Sequence, residues 1–186
     1  METRSLNRRM VLAGLSLTVF VPSTAFGQAN KVPRTHGKSS LQIVSYTTTE
    51  KPGTIVISND ELLLWRVLPG GRAERFEISV GREGFAWTGT TVVGHKKKWP
   101  EWRPPAEMRK RQPSLPSLVP SGPYNPLGAR ALYLYANGSD TLYRIHGTNS
   151  AGSVGSYETS GCFRMTNTDI LYLYDKVNTG TKVVVY

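Results

Sequence analysis

The sequence has little that could form cross-links or bind a metal ion: one cysteine, Cys162, and three histidines among 186 residues. A chain with one cysteine cannot form an internal disulfide, and the cysteine and histidine spacing of a zinc site is absent. The longest apolar run, 10–21, has about a dozen residues, fewer than the roughly 20 that a membrane-spanning helix needs. Internal repeats and coiled-coil heptads are also missing. These absences exclude a disulfide scaffold, a zinc module and a repeat protein.

Acidic residues are also scarce: 13 aspartates and glutamates stand against 23 lysines and arginines, a formal net charge of +10. Such a balance suits an anionic partner, which could be a nucleic acid, an acidic lipid surface or an acidic wall polymer. No nucleic-acid-binding motif is visible, and the basic residues are scattered apart from the run 95–105, so we expect no nucleic acid partner. That run, which includes Trp99 and Trp102, is either a solvated loop or a basic, aromatic rim of a substrate cleft.

The first 29 residues resemble a secretory signal peptide. Arg4, Arg8 and Arg9 precede the apolar run 10–21, and small and polar residues follow it. Cleavage after position 27 and cleavage after position 29 both fit, and the Arg8-Arg9 pair also fits a twin-arginine signal, so both export routes stay open. No cysteine lies near the cleavage point, which argues against a lipoprotein anchor. We therefore expect an exported protein of the periplasm or cell envelope, without a transmembrane segment after processing.

After the signal peptide, residues 30–53 are polar and are predicted to be a linker with a short strand at 41–46. From residue 54 onward the chain is rich in β-branched residues and turn signals, so 54–186 is predicted to be one mainly β domain. Strands are predicted at 54–58, 61–68, 73–80, 88–94, 129–136, 141–145 and 181–186. Helices are predicted at 105–111 and 167–177, the second with a capping box, and the irregular loop 113–128 is expected to border the functional site.

The residues with the clearest chemical potential lie in a glycine-rich stretch near the C-terminus, where His146 and Cys162 are sixteen positions apart. A thiol becomes a strong nucleophile as the thiolate, and a nearby imidazole is the usual way to hold that form near neutral pH. The alternative is that Cys162 is a small buried apolar residue. A lone thiol in an oxidising compartment is a liability unless it is used or buried, which favours a working thiol. Gly161 lets the backbone approach a substrate closely, and Arg164 can hold a substrate carboxylate.

Two segments carry a resemblance to a known family. His-Gly-Thr-Asn at 146–149 and Thr-Ser-Gly-Cys-Phe-Arg-Met at 159–165 resemble the pattern of the L,D-transpeptidase catalytic domain (YkuD-type) family. That pattern is a His-Gly pair, a loop of similar length and Ser/Thr-(His or Ser)-Gly-Cys-apolar-(Arg or Asn). The resemblance runs from about residue 54 to residue 186 and includes Asn-Pro-Leu-Gly at 125–128. Ser160 stands where many members have a second histidine, and Phe163 where isoleucine or valine is usual, but neither difference affects the nucleophile.

The resemblance implies a fold and a set of catalytic groups. The fold would be an L,D-transpeptidase-like β-sandwich with a short C-terminal helix beside the active site. Cys162 would be the nucleophile, His146 the base, and the backbone carbonyl of Gly147 the group that orients the imidazole. Backbone amides at Ser160, Gly161 and Cys162 would bind the oxyanion.

The resemblance also suggests which residues contact the substrate. Arg164 would either bind a substrate carboxylate or brace the loop, and both roles stay open. Thr148, Tyr143 and Arg144 are further candidates for substrate binding. No metal ligand is predicted, and the chemistry needs no metal or organic cofactor.

The implied activity is acyl transfer on peptidoglycan, a step in cell wall biogenesis that maintains cell shape. The donor would be a tetrapeptide stem, cut between its diamino acid and its terminal D-alanine. The acceptor would be an amine of a second stem, which gives a 3→3 cross-link, or an amine of an anchored outer-membrane protein; with water the enzyme would be an L,D-carboxypeptidase. The thiol would also react with carbapenems. Two other hypotheses are a noncatalytic wall-binding module and a cysteine hydrolase of exported peptides or amides.

Overall fold

The computed structural model describes residues 37–186; the predicted signal peptide and the first part of the predicted linker lie outside the described residues. The strands are β1 Gln42–Ser45, β2 Ile55–Ser58, β3 Leu63–Leu68, β4 Arg72–Glu77, β5 Val80–Gly81, β6 Gly89–Lys98, β7 Arg130–Ala136, β8 Ser139–His146, β9 Tyr157–Thr159, β10 Phe163–Arg164 and β11 Lys182–Val185. The helices are α1 Ala106–Arg111 and α2 Asn167–Lys176, with a 3-10 turn at Ala151–Ser153. None of the helices between residues 37 and 186 has the length and hydropathy to cross a membrane. The mainly β class with a short C-terminal helix is thus as predicted.

Nine of these strands form one sheet in the order β1-β4-β3-β2-β11-β6-β7-β8-β10, and β5 pairs with β9. Strands β2, β3 and β4 form the antiparallel meander that their β-branched residues and turns predicted. The last strand, β11, lies between β2 and β6, parallel to β2 and antiparallel to β6. The short strand β10 pairs in parallel with β8 at the other edge. This parallel pair matters for the site, because it places the residues before β10 beside the last residues of β8.

The core is built between the sheet and α2. Ile170 and Leu173 of α2 are fully buried in one cluster with Phe76 of β4, Leu132 of β7 and Phe163 of β10. Because strands from both ends of the sheet contribute to this cluster, the sheet must bend around the helix. Each of these side chains contributes roughly 1.5–3 kcal/mol by leaving water.

Helix α2 begins where the capping residues predicted. The Asp169 N–H donates to Thr166 Oγ1 at 3.1 Å, and helical spacing places Ile170, Leu173 and Tyr174 on the buried face. The carboxylate of Asp169 accepts hydrogen bonds from the segment before β1: Ser39 Oγ donates to its Oδ1 at 2.6 Å and Ser40 Oγ donates to its Oδ2 at 2.8 Å. The helix start is therefore tied to a segment about 130 residues away in sequence.

Part of the predicted linker belongs to the sheet. The predicted strand at 41–46 is present as β1, which pairs antiparallel with β4. The hydroxyl of Ser40 both donates to Asp169 and accepts from the Glu77 N–H at 2.9 Å, at the end of β4. Residues 42–45 are therefore held by β4, and Ser39 and Ser40 are held by α2.

The charged run 95–105 differs from a simple solvated loop. Strand β6 continues to Lys98 and is paired with β7, so the first four residues of the run are strand rather than loop. The ammonium of Lys96 donates to the carbonyls of Tyr174 and Val177 at the C-terminus of α2, the end where a cation is favourable. Neither the partner strand nor the helix end is local in sequence, which is why the charges alone suggested a loop.

Replacing Asp169 with alanine is expected to lower the free energy of unfolding by about 2–4 kcal/mol. Asp169 is fully buried, and its removal leaves the buried N–H and hydroxyl of Ser40 without their acceptor. Urea unfolding followed by tryptophan fluorescence measures the change. Asp175→Ala, at an exposed position of the same helix, is the control and should change the value by no more than about 0.5 kcal/mol. Equal effects of the two substitutions would contradict a stabilising role for the Asp169 contacts.

Candidate active site

A cleft of about 1120 Å³ is lined by both residues of the predicted pair, Cys162 and His146. Their proximity follows from the parallel pairing of β10 with β8, in which Phe163 is opposite Ile145 and Arg164 is opposite His146. Cys162 directly precedes β10, and His146 ends β8. Within residues 37–186, no group of three or more His, Cys, Asp or Glu side chains is placed to hold a metal ion. The fold therefore brings to one cleft two residues that the sequence separates.

The imidazole of His146 is held in one orientation. Its Nδ1 lies 2.6 Å from the carbonyl oxygen of Gly147. Because a carbonyl can only accept, Nδ1 carries the proton and Nε2 is left with a free lone pair. Burial lowers the pKa of His146 to about 4; the Gly147 carbonyl opposes this shift, while the charges of Arg164 and Arg144 add to it. The ring is therefore neutral near pH 7 and able to accept a proton.

The thiol of Cys162 is half-buried and donates to the carbonyl of Leu142, with Sγ 3.9 Å from the oxygen. Leu142 has φ +65°, in a stretch where the β7–β8 register is irregular. Burial raises the pKa of the Cys162 thiol, opposed by a backbone hydrogen bond from Arg144 and by the charges of Arg144 and Arg164. Burial thus disfavours the charged form of both groups, the thiolate of Cys162 and the imidazolium of His146.

The turn before Cys162 is held by the side chain of Thr159. Its Oγ1 donates to the carbonyl of Cys162 at 2.6 Å and accepts from the Gly161 N–H at 3.2 Å. One of the three predicted oxyanion donors, the Gly161 amide, is thus already used within the loop. The amides of Ser160 and Cys162 remain candidates.

The glycine at position 161 is required by its neighbours. It has φ +104°, and a Cβ there would lie 2.5 Å from the ring of Tyr143. Trp87 stacks on that ring with centroids 4.6 Å apart and donates its Nε1–H to the Gly161 carbonyl at 3.0 Å. Tyr143 lines the cleft, as expected of a substrate-binding candidate, but it also forms one side of this support for the nucleophile loop.

The two arginines predicted near the substrate are both engaged by the protein. Arg164 Nη1 donates to Ser153 Oγ at 2.9 Å, and the guanidinium lies 3.6 Å from the Glu158 carboxylate. Arg144 makes two hydrogen bonds to Asp140, at 2.6 and 2.8 Å, and covers the ring of Tyr133. Both guanidinium groups line the cleft. Of the two roles left open for Arg164, these contacts favour bracing of the loop.

Thr148, a further substrate-binding candidate, lies outside the cleft lining and is buried. Its hydroxyl accepts from the Ser150 N–H at 3.0 Å, and its N–H donates to Asn167 Oδ1 at 3.2 Å. We therefore leave Thr148 out of the substrate contacts proposed below.

Asn167, the first residue of α2, is a site residue that sequence reasoning missed. Its Oδ1 accepts from the N–H groups of Ala129 and Thr148, at 2.9 and 3.2 Å. It also packs on two glycines: a Cβ at Gly147 or at Gly128 would lie 2.2 or 2.3 Å from that oxygen. One amide thus joins the start of β7 to the residues after His146. The only sequence signal was the Asn-Pro-Leu-Gly segment, which gives no indication that the next residue, Ala129, has a partner 38 positions later.

The lining of the cleft also contains part of the basic, aromatic rim that the sequence suggested. Lys97, Trp102 and Arg103 line it, whereas Trp99 does not and has 43% of its surface exposed. Pro126 and Leu127 also line the cleft, so the irregular loop 113–128 borders it as predicted. Lys97 near the end of β6 and the second half of the charged run therefore belong to the rim.

The lowered pKa of His146 has a consequence for stability. A histidine with a pKa of about 6.5 when unfolded and about 4 when folded binds protons mainly in the unfolded state as the pH falls between these values. Stability should therefore decrease from pH 6.5 to pH 4, by about 3 kcal/mol from this group. Urea unfolding at both pH values measures the loss, which should shrink in His146→Gln. His95→Gln leaves the buried imidazole of His146 in place, so its free energy of unfolding should decrease between the two pH values by as much as that of wild type. If His146→Gln showed the same decrease as wild type, His146 would not be its source.

The family model and the curated relatives name the same family. Residues 52–185 match the family model described as L,D-transpeptidase catalytic domain. The chain is 34% identical over 183 residues to Escherichia coli (strain K12) ErfK/SrfK, named "Probable L,D-transpeptidase", with 94% of this chain and 53% of that protein covered. It is 38% identical over 138 residues to YbiS of the same organism, which has the same description, with 69% and 43% covered. The chain thus spans about half the length of the curated relatives it matches.

Solved structures include similar folds. A Brucella melitensis structure named "Probable carnitine operon oxidoreductase caia" is 41% identical with a TM-score of 0.56, and the match covers 86% of this chain and 100% of that one. An L,D-transpeptidase from Mycobacterium smegmatis has a TM-score of 0.55 at 19% identity, with 72% and 58% covered, which supports the fold alone.

Proposed function

Because the chain belongs to the L,D-transpeptidase catalytic domain family, we propose that it is an exported acyltransferase that acts on peptidoglycan through Cys162 and His146. The observation that carries the proposal is the position of the one cysteine of the chain in the same cleft as a buried, neutral histidine whose Nδ1 is held by Gly147. Acyl transfer is preferred to the redox activity stated in the name of the Brucella melitensis structure, because nucleophile, base and loop follow the family pattern.

The first half of the reaction forms an acyl-enzyme. The Cys162 sulfur attacks the carbonyl carbon of the diamino acid in a tetrapeptide stem, while His146 Nε2 accepts the thiol proton. The amides of Ser160 and Cys162 stabilise the tetrahedral oxyanion. The carbon–nitrogen bond to the terminal D-alanine then breaks, and the imidazolium returns its proton to the leaving amine.

The second half transfers the acyl group. An acceptor amine attacks the thioester, His146 takes a proton from that amine, and the carbon–sulfur bond breaks to regenerate the thiol. An amine of a second stem gives a 3→3 cross-link, and an amine of an anchored outer-membrane protein gives attachment to the wall. Water in the same position gives an L,D-carboxypeptidase. All three outcomes share one thioester, so one experiment can separate them.

The test is to incubate the purified protein with disaccharide tetrapeptide and to separate the products by chromatography and mass spectrometry. Cross-linked dimers together with released D-alanine support transpeptidation, and tripeptide monomers together with D-alanine identify the carboxypeptidase. Absence of both products and of any thioester adduct would contradict the enzymatic proposal and favour a noncatalytic wall-binding module. A pull-down with insoluble peptidoglycan then tests for that module.

A further inference from the structure

The cleft has an excess of positive charge that the described protein does not neutralise. Six cationic side chains line it: Arg82, Lys97, Arg103, Arg111, Arg144 and Arg164. Three carboxylates also line it: Glu101, Glu107 and Glu158. Each of these carboxylates forms an ion pair: Glu101 with Arg103, Glu107 with Lys110, and Glu158 with Arg164. Arg144 pairs with Asp140. Within residues 37–186, Arg82, Lys97 and Arg111 have no carboxylate partner among the ion pairs.

Two of these arginines share one aromatic ring. The guanidinium of Arg82 lies 4.2 Å from the centroid of Phe85, and that of Arg111 lies 5.0 Å from the same centroid. Arg111 is the last residue of α1, so the two arginines reach this ring from different segments of the chain. A ring face attracts each cation, at about 0.5–2 kcal/mol, but it does not use the guanidinium N–H groups as donors. One of them, on Arg82 Nη1, donates weakly to Ser160 Oγ at 3.5 Å. Two like charges gathered on one ring form a ready site for an anion.

The position of Arg82 relative to the nucleophile is fixed by the backbone. The Arg82 N–H donates to the carbonyl of Thr159 at 3.0 Å, and the Phe85 N–H donates to the carbonyl of Arg82 at 2.9 Å. Arg82 Nη1 lies 3.5 Å from Ser160 Oγ, two residues before Cys162. The turn 82–85 is thus tied to the loop that carries the thiol. A carboxylate on the guanidinium of Arg82 would therefore lie beside the scissile bond.

We propose that Arg82 and Arg111, stacked on Phe85, form a carboxylate clamp that selects the donor stem by a carboxylate next to its scissile bond. The proposal rests on the proposed acyl transfer and assigns to this pair the recognition role that the sequence suggested for Arg164, whose guanidinium is occupied by Ser153 and Glu158. A donor stem offers two candidate carboxylates for this clamp: the terminal carboxylate of the D-alanine, and the side-chain carboxylate of a diaminopimelate.

The experiment crosses enzyme variants with substrate variants. Wild type, Arg82→Gln and Arg111→Gln are assayed by D-alanine or D-alaninamide release on three stems: one with both carboxylates, one with a C-terminal amide, and one with lysine in place of diaminopimelate. On the full stem each variant should lose about tenfold to a hundredfold in kcat/KM, the range for a charge-assisted hydrogen bond. On the stem that lacks the recognised carboxylate, the kcat/KM of wild type should fall by a similar factor. On that stem, Arg82→Gln and Arg111→Gln should lower kcat/KM little below the wild-type value. The stem on which the effects of removing the carboxylate and replacing the arginine do not add identifies the carboxylate that is bound.

Two controls separate recognition from structure. Arg109→Gln removes a charge from the same helix as Arg111 at a position outside the cleft lining, and should leave all three rates unchanged. Arg82→Lys keeps the charge without the bidentate geometry and should recover part of the lost rate. Equal losses in Arg82→Gln on all three stems, or losses as large in Arg109→Gln, would overturn the clamp while leaving acyl transfer intact. No turnover by wild type on any stem would instead count against the proposed function.

Discussion

Replacing Cys162 with alanine is expected to abolish both D-alanine release and cross-linking, a loss of roughly 10³-fold or more in kcat/KM. The sequence has no second cysteine that could replace the thiol. Without the sulfur no thioester can form, and water attack aided by His146 alone lacks the covalent step. D-alanine release from tetrapeptide measures the loss. An intact-mass shift with a carbapenem should appear in wild type and be absent from the variant.

The control for this experiment is a variant that keeps a nucleophilic atom. Cys162→Ser retains a hydroxyl, but a buried serine beside a histidine of low pKa is a much weaker nucleophile, so its activity should also fall by several orders of magnitude. Both substitutions are small at a half-buried position, so their urea unfolding midpoints should stay near that of wild type. A Cys162→Ala protein that still forms dimers at the wild-type rate would refute the thiol mechanism.

Replacing Asn167 with alanine is expected to lower kcat/KM by about 10²-fold and the free energy of unfolding by about 2–4 kcal/mol. The amide N–H groups of Ala129 and Thr148 lose their common acceptor, and a buried unsatisfied donor costs about 1–3 kcal/mol. The backbone that carries His146 and Gly147 is then free to move, and a displacement of about 1 Å in a catalytic group can cost about 10²-fold in rate. Steady-state kinetics and urea unfolding give the two values.

Two variants test whether Asn167 acts through its oxygen. Asn167→Asp keeps an acceptor at the same place, at the N-terminus of α2 where negative charge is favourable. It should therefore retain most of the wild-type kcat/KM and most of the wild-type free energy of unfolding. Asn149→Ala removes an amide whose Nδ2 donates a hydrogen bond to the carbonyl of the exposed Tyr124. It should change the free energy of unfolding by less than about 0.5 kcal/mol. If Asn167→Asp were as damaged as Asn167→Ala, the acceptor role would be wrong.

The parts of the fold that could be predicted are those whose signals are local. The run of β-branched residues in β2, the turns that separate it from β3 and β4, and the helical spacing of Ile170 and Leu173 each lie within a few residues of sequence. The position of β11 between β2 and β6 and the extension of β6 through Lys98 depend on partners from distant segments. No periodicity within a strand specifies which strand lies beside it.

The same division applies to the site. Cys162, His146 and Gly147 could be named from a motif, because residue type and spacing carry that information. Asn167 could not, because its role is to accept hydrogen bonds from two backbone segments that come together only in the folded chain. The interpretation of Gly161 as an oxyanion donor faced the same limit, because only the folded loop shows that Thr159 already accepts from its amide.

The sequence by itself determined the reactive groups, since nucleophilicity and basicity belong to a thiol and an imidazole wherever they occur. The tertiary structure decided their environment: burial disfavours the charged forms of Cys162 and His146, and the pairing of β10 with β8 places them in one cleft. It also decided which cations are available to a substrate, because an arginine is neutralised or left free only by the neighbours that folding places around it. Charge, pKa and hydrogen-bonding capacity therefore depend on distant segments, whereas chemical identity depends only on the residue.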